Sequence, residues 1–326
     1  MDTAKVANLF ATYPDDFLTY VNAPIGEGKP VPGKLKPLIV VPTTAGTGSE
    51  TTGVAIFDYL EMHAKTGFAH RALRPQMGII DPENTRTLPS MVAACTGFDV
   101  LSHAIESLTA LPFNQRPRAD HPKMRPAYQG ANPISDVWST KAIEMVSVNL
   151  LQVVADPDDD EARGQMILAA AFAGIGFGNA GVHLPHGMSY PISGMVRDFH
   201  VQGYPQDRPL IPHGMSVILN APAVFRFTAE VNPARHLYAA KLMGLDVDDK
   251  DPQVLENIGD ILAEGIIDLM RKTGMPNGLR AIGFSPEDVD ALVEGTLPQH
   301  RVTKLSPRPA EAKDLRELFL DSMILW

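Results

Sequence analysis

The sequence predicts an α/β portion over residues 1–88 followed by an all-α portion over residues 89–326. Three observations lead there. Short apolar runs rich in β-branched residues, PLIVVP at 37–42 and MGIID at 77–81, read as buried strands. Beyond Leu88-Pro89 the apolar residues recur at helical spacing. A length of 326 residues, with 44% hydrophobic and 20% charged content, supports two hydrophobic cores.

Along the chain, residues 1 to about 20 read as a short helix and its exit, and residues 21–36 as a loop rich in proline, glycine and lysine. The run at 37–42 passes into TTAGTGSETT and then the strand-like GVAIFDY, and MGIID is closed by Pro82. Ser90 is placed to cap a helix running through Asp99 and His103. Ser135 and Asp136 open a second helix, with Val137, Ile143, Val146 and Leu150 near helical spacing. Residues 161–175 read as an alanine-rich helix. Over residues 253–272, Ile258, Ile261, Leu262, Ile266 and Leu269 share one helix face, and Gly274 closes it. PEDVDALVEG and EAKDLRELFLDSMILW supply two more helices. The proline-rich stretch 112–133 reads as a long loop, and long loops inside compact domains are often functional.

The net charge of -10 argues against a nucleic-acid or anionic-membrane partner, and no apolar run approaches the length of a membrane span. Small-molecule partners remain, and a homo-oligomer is compatible with the sequence. The single cysteine, Cys95, excludes a disulfide within the chain and fits a reducing compartment; in VAACTGF it reads as a small packed residue. MDTAKVANLF lacks the basic start, apolar core and cleavage site of a signal peptide.

The chemistry concentrates in Asp99, His103, His186 and His213. Asp99 and His103 stand four residues apart in GFDVLSHAIES, so one helix face carries both. His186 and His213 each precede a glycine, in LPHGMSYP and IPHGMS. Three imidazoles and one carboxylate suit a divalent first-row metal, iron(II) or zinc. His183, three residues before His186, is either a proton relay near the same site or a packed histidine with one hydrogen bond. In TTAGTGSE, Gly46 and Gly48 allow close backbone approach to a phosphate, and Thr43, Thr44 and Thr47 offer hydroxyls; alone, such a loop also describes an ordinary turn.

PLIVVPTTAGTGSETTGVAIFDY, GIIDPENTRTLP, GFDVLSHAIES, AFAGIGFGNAGVHLPHGMSYPISG, PLIPHGMS and GTLPQHRVTKLSPR together resemble the iron-containing alcohol dehydrogenases over nearly the whole chain. The likeness is strongest to the family's transhydrogenase branch. The resemblance implies an incomplete Rossmann-like nucleotide-binding domain over 1–88 and a helical metal-binding domain over 89–326, a dehydroquinate synthase-like architecture with the site in the cleft. It implies NAD as cofactor, contacted by the TTAGTGSE loop. Lys65 matches a lysine near the nicotinamide ribose, and its alternative is a solvated surface charge. The start MDTAKVAN looks like the stretch just after a GGGS turn, with Asp2 and Lys5 as the aspartate and lysine that follow it. The chain is therefore expected to be an N-terminally truncated piece, lacking about 100 residues of domain size. Loss of neighbouring strands would expose apolar surface and an unpaired edge. A short protein with a rebuilt edge is the alternative.

Tyr190 occupies a position where many members of the family carry a second histidine thought to help proton transfer. The insertion RDFHVQGYPQDRP before His213 is expected to be a loop near the site, with His200 solvated. Members of the transhydrogenase branch act on small hydroxy and oxo acids, such as 4-hydroxybutyrate and 2-oxoglutarate, whose carboxylates need a cation. Arg301 and Lys304 are the candidates, with Arg308, Arg116 and Arg118 as rivals. A simple alcohol dehydrogenase and a non-catalytic metal-binding or association module are the competing readings. The implied location is cytoplasmic in a bacterium and mitochondrial in a eukaryote.

Overall fold

The computed structural model describes residues 1–59, 64–122, 125–247 and 252–326. Helix α1 (Asp2–Thr12) begins with an acidic residue in its first turn, where the helix dipole favours one, and turns Lys5 and Leu9 inward. The chain then runs as loop to residue 38, apart from a 3-10 turn at Phe17–Thr19, as its proline and glycine content predicts. Strands β1 (Ile39–Val40), β2 (Val54–Tyr59), β3 (Ala64–Ala69) and β4 (Met77–Gly78) make a parallel pair, β1 with β4, and an antiparallel pair, β2 with β3.

The runs expected to be buried strands are shorter and more exposed than that. Ile39 is 59% exposed and Met77 55%, and Val41 and Ile79 are exposed beside them. A parallel strand is buried on both faces only when strands flank it and helices cover it. Among the described residues, β1 and β4 have only each other. β3 was not anticipated, because AKTGFA carries too little alternation; pairing with β2, Phe57 opposite Thr66, defines it.

From residue 90 onward the chain is helical: α2 (Ser90–Thr109), α3 (Pro133–Ala155), α4 (Asp160–Ala180), α5 (Leu184–Gly194), α6 (His213–Ile218), α7 (Ala221–Ala229), α8 (Pro233–Leu242), α9 (Pro252–Lys272), α10 (Val289–Thr296), α11 (His300–Thr303) and α12 (Ala312–Asp321). Ser90 does not cap α2; Pro89 holds that position, and its preset φ of -60° leads into the helix. Helix α3 is capped by Asn132, whose side chain accepts from the Ser135 backbone N–H at 3.0 Å. Its Ile143, Val146 and Leu150 are fully buried, whereas Val137 is exposed. Each full burial of this kind contributes roughly 1.5–3 kcal/mol. The alanine-rich helix α4 runs on to Ala180 because its small residues pack against α2 and α3. In α9, Ile258, Leu262, Ile266 and Leu269 are buried, and Gly274, at φ 74°, ends the turn. The stretch 112–132 is a loop, as expected, apart from a 3-10 turn at Phe113–Gln115, and α3 begins at Pro133; positions 123–124 lie outside the described residues. No single helix among the described residues is long and apolar enough to cross a membrane.

The helices share one large core. A second core lies under α1 and the hairpin, around Leu9, Tyr20, Val21 and Phe68. A third cluster bridges them: Val54 of β2 meets Tyr128, Phe177, Val182, Val302 and Leu305. This apolar seam bounds the site described next. Cys95 is buried in the large core, and burial pushes its thiol up to about 12, which makes it inert.

Candidate metal centre and active site

Helix α2 presents Asp99 and His103 one turn apart, both buried. His186 lies in the first turn of α5, and His213 is the first residue of α6. Their Nε2 atoms surround one oxygen. Asp99 Oδ1 lies 3.7 Å from His103, 3.5 Å from His186 and 3.7 Å from His213. Donors bound tetrahedrally to one ion at 2.0–2.2 Å stand about 3.3–3.6 Å apart, so this spacing fits a first-row divalent ion. Asp99, His186 and His213 form the tightest group, their ligating atoms all within 4.8 Å of one another. His103 stands at its edge, its ring stacked on Phe177 at 3.9 Å and on His186 at 4.5 Å.

The chemistry of the group also fits a cation. Asp99 Oδ1 and His186 Nε2 are buried with no hydrogen-bond partner among the described residues. Burial opposes ionisation of Asp99, but His103, His213 and His186 around it hold its carboxyl far below the usual range. Burial pushes His103 down to about 3, which leaves the neutral, ligating form at pH 7. Burial also opposes a proton on His186, yet Glu106 and Asp99 outweigh it and raise that imidazole. The centre therefore favours positive charge, a proton when metal-free and a metal ion in its place.

Glu106 was missed in the sequence. It is fully buried and its Oε1 lies 2.6 Å from His186 Nδ1. Its Oε2 accepts from the backbone N–H of His183 at 2.7 Å and of His186 at 3.5 Å, so one carboxylate also closes the N-terminus of α5. A carboxylate on Nδ1 directs Nε2 at the metal position. The available signal was a second acid in the otherwise apolar GFDVLSHAIES, three residues after His103 and seven after Asp99, on the same helix face.

His183 does not line the cavity. Thr109 donates its hydroxyl to Ile105 O at 2.7 Å and so accepts from His183 Nε2 at 3.0 Å. Burial pushes His183 down to about 4, so it is neutral at pH 7. Its backbone N–H donates to Glu106, and among the described residues its ring bonds Thr109 rather than a group of the cavity lining. His200 is exposed, as expected.

A cavity of about 220 Å³ opens on the metal group, with Phe177, Val182, Val54 and Ile56 as apolar wall. Its polar lining includes Asp2, Thr47, Lys65, Tyr190, Arg301 and Tyr128. The Tyr190 ring lies near-parallel to that of His213, 20° between planes and 6.5 Å between centroids, and its hydroxyl accepts from Arg301 at 2.6 Å. Arg301 also lies over the Tyr128 ring at 5.4 Å. Lys304 does not join it: α11 ends at Thr303, and Lys304 lines a separate cavity with Ser306 and Pro307. Arg308 pairs with Glu230, Arg116 bonds the Tyr128 carbonyl, and Arg118 is exposed.

Also on the lining, Asp2 accepts from Ser49 Oγ at 2.5 Å and from the Ile56 N–H at 2.8 Å. The Lys5 ammonium is fully buried and donates to the carbonyls of Ser49, Thr52 and Val54. These contacts tie α1 to the loop and hairpin that wall the cavity. Thr43 is exposed, Thr44 half-buried, and neither reaches the cavity lining, whereas Thr47 does. The loop glycines meet protein: a Cβ on Gly46 would lie 2.8 Å from Thr96 Cβ, and one on Gly48 2.7 Å from Gly174 Cα. Close packing on α2 and α4 thus requires both glycines whatever else approaches the loop.

Residues 127–323 match the family description "Fe-containing alcohol dehydrogenase family, C-terminal", and residues 1–82 match "Iron-containing alcohol dehydrogenase". A probable mitochondrial hydroxyacid-oxoacid transhydrogenase of Dictyostelium discoideum is 56% identical over 335 residues, covering 100% of this chain and 61% of that protein. The mitochondrial hydroxyacid-oxoacid transhydrogenase of Rattus norvegicus is 54% identical, covering 100% of this chain and 70% of that protein. The chain thus spans about two thirds of the length of these relatives. Among solved structures, a 1,3-propanediol oxidoreductase is 25% identical with a TM-score of 0.82, covering 98% of this chain and 74% of that one. A sulfoacetaldehyde reductase of Bifidobacterium kashiwanohense, in complex with NAD+, is 27% identical with a TM-score of 0.76, covering 98% and 72%.

Proposed function

The chain belongs to the iron-containing alcohol dehydrogenase family, and from that premise we propose that it carries the metal site of an NAD-dependent hydroxyacid-oxoacid transhydrogenase. In the proposed reaction 4-hydroxybutyrate gives up a hydride and a proton, and 2-oxoglutarate takes up both. The carrying observation is one buried aspartate oxygen ringed at 3.5 to 3.7 Å by three imidazole nitrogens. Iron(II) is the proposed metal, and the same ligand set accepts zinc. If the source is a eukaryote, the mitochondrial names of the relatives support that compartment; in a bacterium the enzyme is cytoplasmic.

Asp99, His186, His213 and His103 would hold the ion. When bound, a divalent ion supplies Lewis acidity to the substrate oxygen, and NAD supplies the hydride acceptor. Glu106 keeps the His186 Nε2 lone pair directed at the centre. Phe177, Val182 and Val54 exclude water from the reacting carbon. Thr47, Lys65 and Asp2 are proposed for the nicotinamide side, with Thr43, Thr44, Gly46 and Gly48 shaping the loop behind them. Tyr190 orients the substrate at the mouth, between His213 and Arg301.

The test is label transfer. The chain is loaded with iron(II), given catalytic NAD, and offered 4-hydroxybutyrate deuterated at C4 together with 2-oxoglutarate. Deuterium in 2-hydroxyglutarate without NADH accumulation supports the proposal. Steady NADH release with one acid alone supports an alcohol dehydrogenase instead, the activity class of the 1,3-propanediol oxidoreductase whose fold this chain shares. Metal retention without NAD binding supports a non-catalytic module.

A further inference from the structure

The guanidinium of Arg301 has no carboxylate within ion-pair distance among the described residues, although it lines the cavity of the metal group. Its contacts are the Tyr190 hydroxyl, to which it donates at 2.6 Å, and the face of Tyr128. Tyr128 is buried and Tyr190 is 5% exposed, so the cation is held between two rigid phenols. Several other arginines of the chain, among them Arg86, Arg197, Arg226, Arg235, Arg308 and Arg316, pair with an acid. Arg301 is half-buried, and a cation partly withdrawn from water without a counter-ion is a place where an anion is favoured. Asp2, on the same lining, already spends both oxygens on Ser49 and Ile56.

We propose that Arg301, positioned by Tyr128 and Tyr190, is the residue that selects substrates bearing a carboxylate three carbons from the reacting carbon. The inference rests on the transhydrogenase reading for its substrate class. In 4-hydroxybutyrate the carboxyl carbon is third from the carbinol carbon. In 2-hydroxyglutarate and 2-oxoglutarate the distal carboxyl carbon is also third from the reacting carbon. One fixed cation on one side of the metal group therefore serves both half-reactions, which a transhydrogenase with a single site requires. A guanidinium suits the task because its planar fork binds a carboxylate in two places. Tyr190 stands between this fork and His213, which sets the carboxylate and the reacting oxygen at opposite ends of one small acid.

The test reads binding, so it is independent of turnover and of NAD. The full chain is stripped with a chelator, and glutarate, which cannot react, is titrated calorimetrically against wild type, Arg301→Gln and Arg301→Lys. Chelation removes any contribution of a metal–carboxylate contact. Glutarate is expected to bind the wild type and to bind Arg301→Gln about 10- to 100-fold more weakly. Arg301→Lys should recover part of the affinity, since it keeps the charge and loses the fork. 1,4-Butanediol, of similar length and uncharged, should bind none of the three differently. Equal glutarate affinity in wild type and Arg301→Gln, or no glutarate binding to the wild type at 10 mM, overturns the proposal. If Arg301→Gln does not fold, Arg301→Lys decides, and wild-type affinity in that variant overturns it too. Failure of label transfer alone would strike the transhydrogenase reading and leave this measurement standing.

Discussion

Replacing Glu106 by glutamine tests whether this buried carboxylate prepares the metal centre. Glu106→Gln keeps the shape and removes the charge. In one amide orientation the oxygen still faces His186 Nδ1, where the native contact is 2.6 Å, but the amide N–H groups then meet the backbone N–H of His183, where Oε2 now accepts at 2.7 Å. That leaves a buried donor unsatisfied, at about 1–3 kcal/mol. In the other orientation the amide donates to Nδ1, the imidazole proton moves to Nε2, and it points at the metal position. The first orientation strains the support of His186 and drops the carboxylate charge behind it, and the second turns its ligating nitrogen into a donor, so both weaken the site. Changes to such outer partners lower metal affinity about 10- to 100-fold, or about 1.4–2.7 kcal/mol. The assay is competition for zinc against a chromophoric chelator at pH 7, with Glu83→Gln, a surface carboxylate in an exposed pair with Arg86, as control. An affinity for Glu106→Gln within about threefold of wild type, a difference under about 0.7 kcal/mol, would refute the reasoning.

Gly214→Ala should unseat His213, because the added Cβ would lie 1.9 Å from Cys95 O, a backbone atom of α2. The expected loss is about 1–3 kcal/mol of stability, with weakened zinc binding. Gly187→Ala, whose Cβ meets side-chain methyls only, of Thr303 at 2.7 Å and Val302 at 3.4 Å, should be milder in both, and equal effects would contradict this expectation. Lys5→Met should destabilise by about 3–5 kcal/mol, since the carbonyls of Ser49, Thr52 and Val54 lose their donor; thermal unfolding checks it. His236 is buried between Thr228 and Asn232, and burial pushes it down to about 4. The unfolded chain therefore binds more protons between about pH 6.5 and pH 4, and stability falls as the pH falls through that window, by up to about 3 kcal/mol. His236→Gln should flatten that limb of a urea-midpoint profile, and an unchanged slope would remove His236 as its source.

Much of the helical portion is legible residue by residue. Ile258, Leu262, Ile266 and Leu269 recur at helical spacing and are buried, because that spacing leaves a helix only one apolar face to bury. PLIVVP and MGIID misled because a short apolar run states a tendency to be buried, not whether partners exist to bury it. Ile39 and Met77 stand exposed for want of neighbours among the described residues.

The sequence by itself determined the local patterns: an i, i+4 aspartate–histidine pair on α2, two His-Gly pairs, and loop glycines that mark a close backbone approach without saying to what. Helical periodicity and glycine geometry are local properties, so one chain segment is enough to reveal them. Only the tertiary structure decided the rest. It put Glu106 behind His186 and set His183 aside. It separated Arg301 from Lys304 and closed Tyr128, Tyr190 and the hairpin around one cavity. Those outcomes depend on which side chains meet across 44 to 111 positions of chain. Packing and desolvation act through space, and no local pattern carries that information.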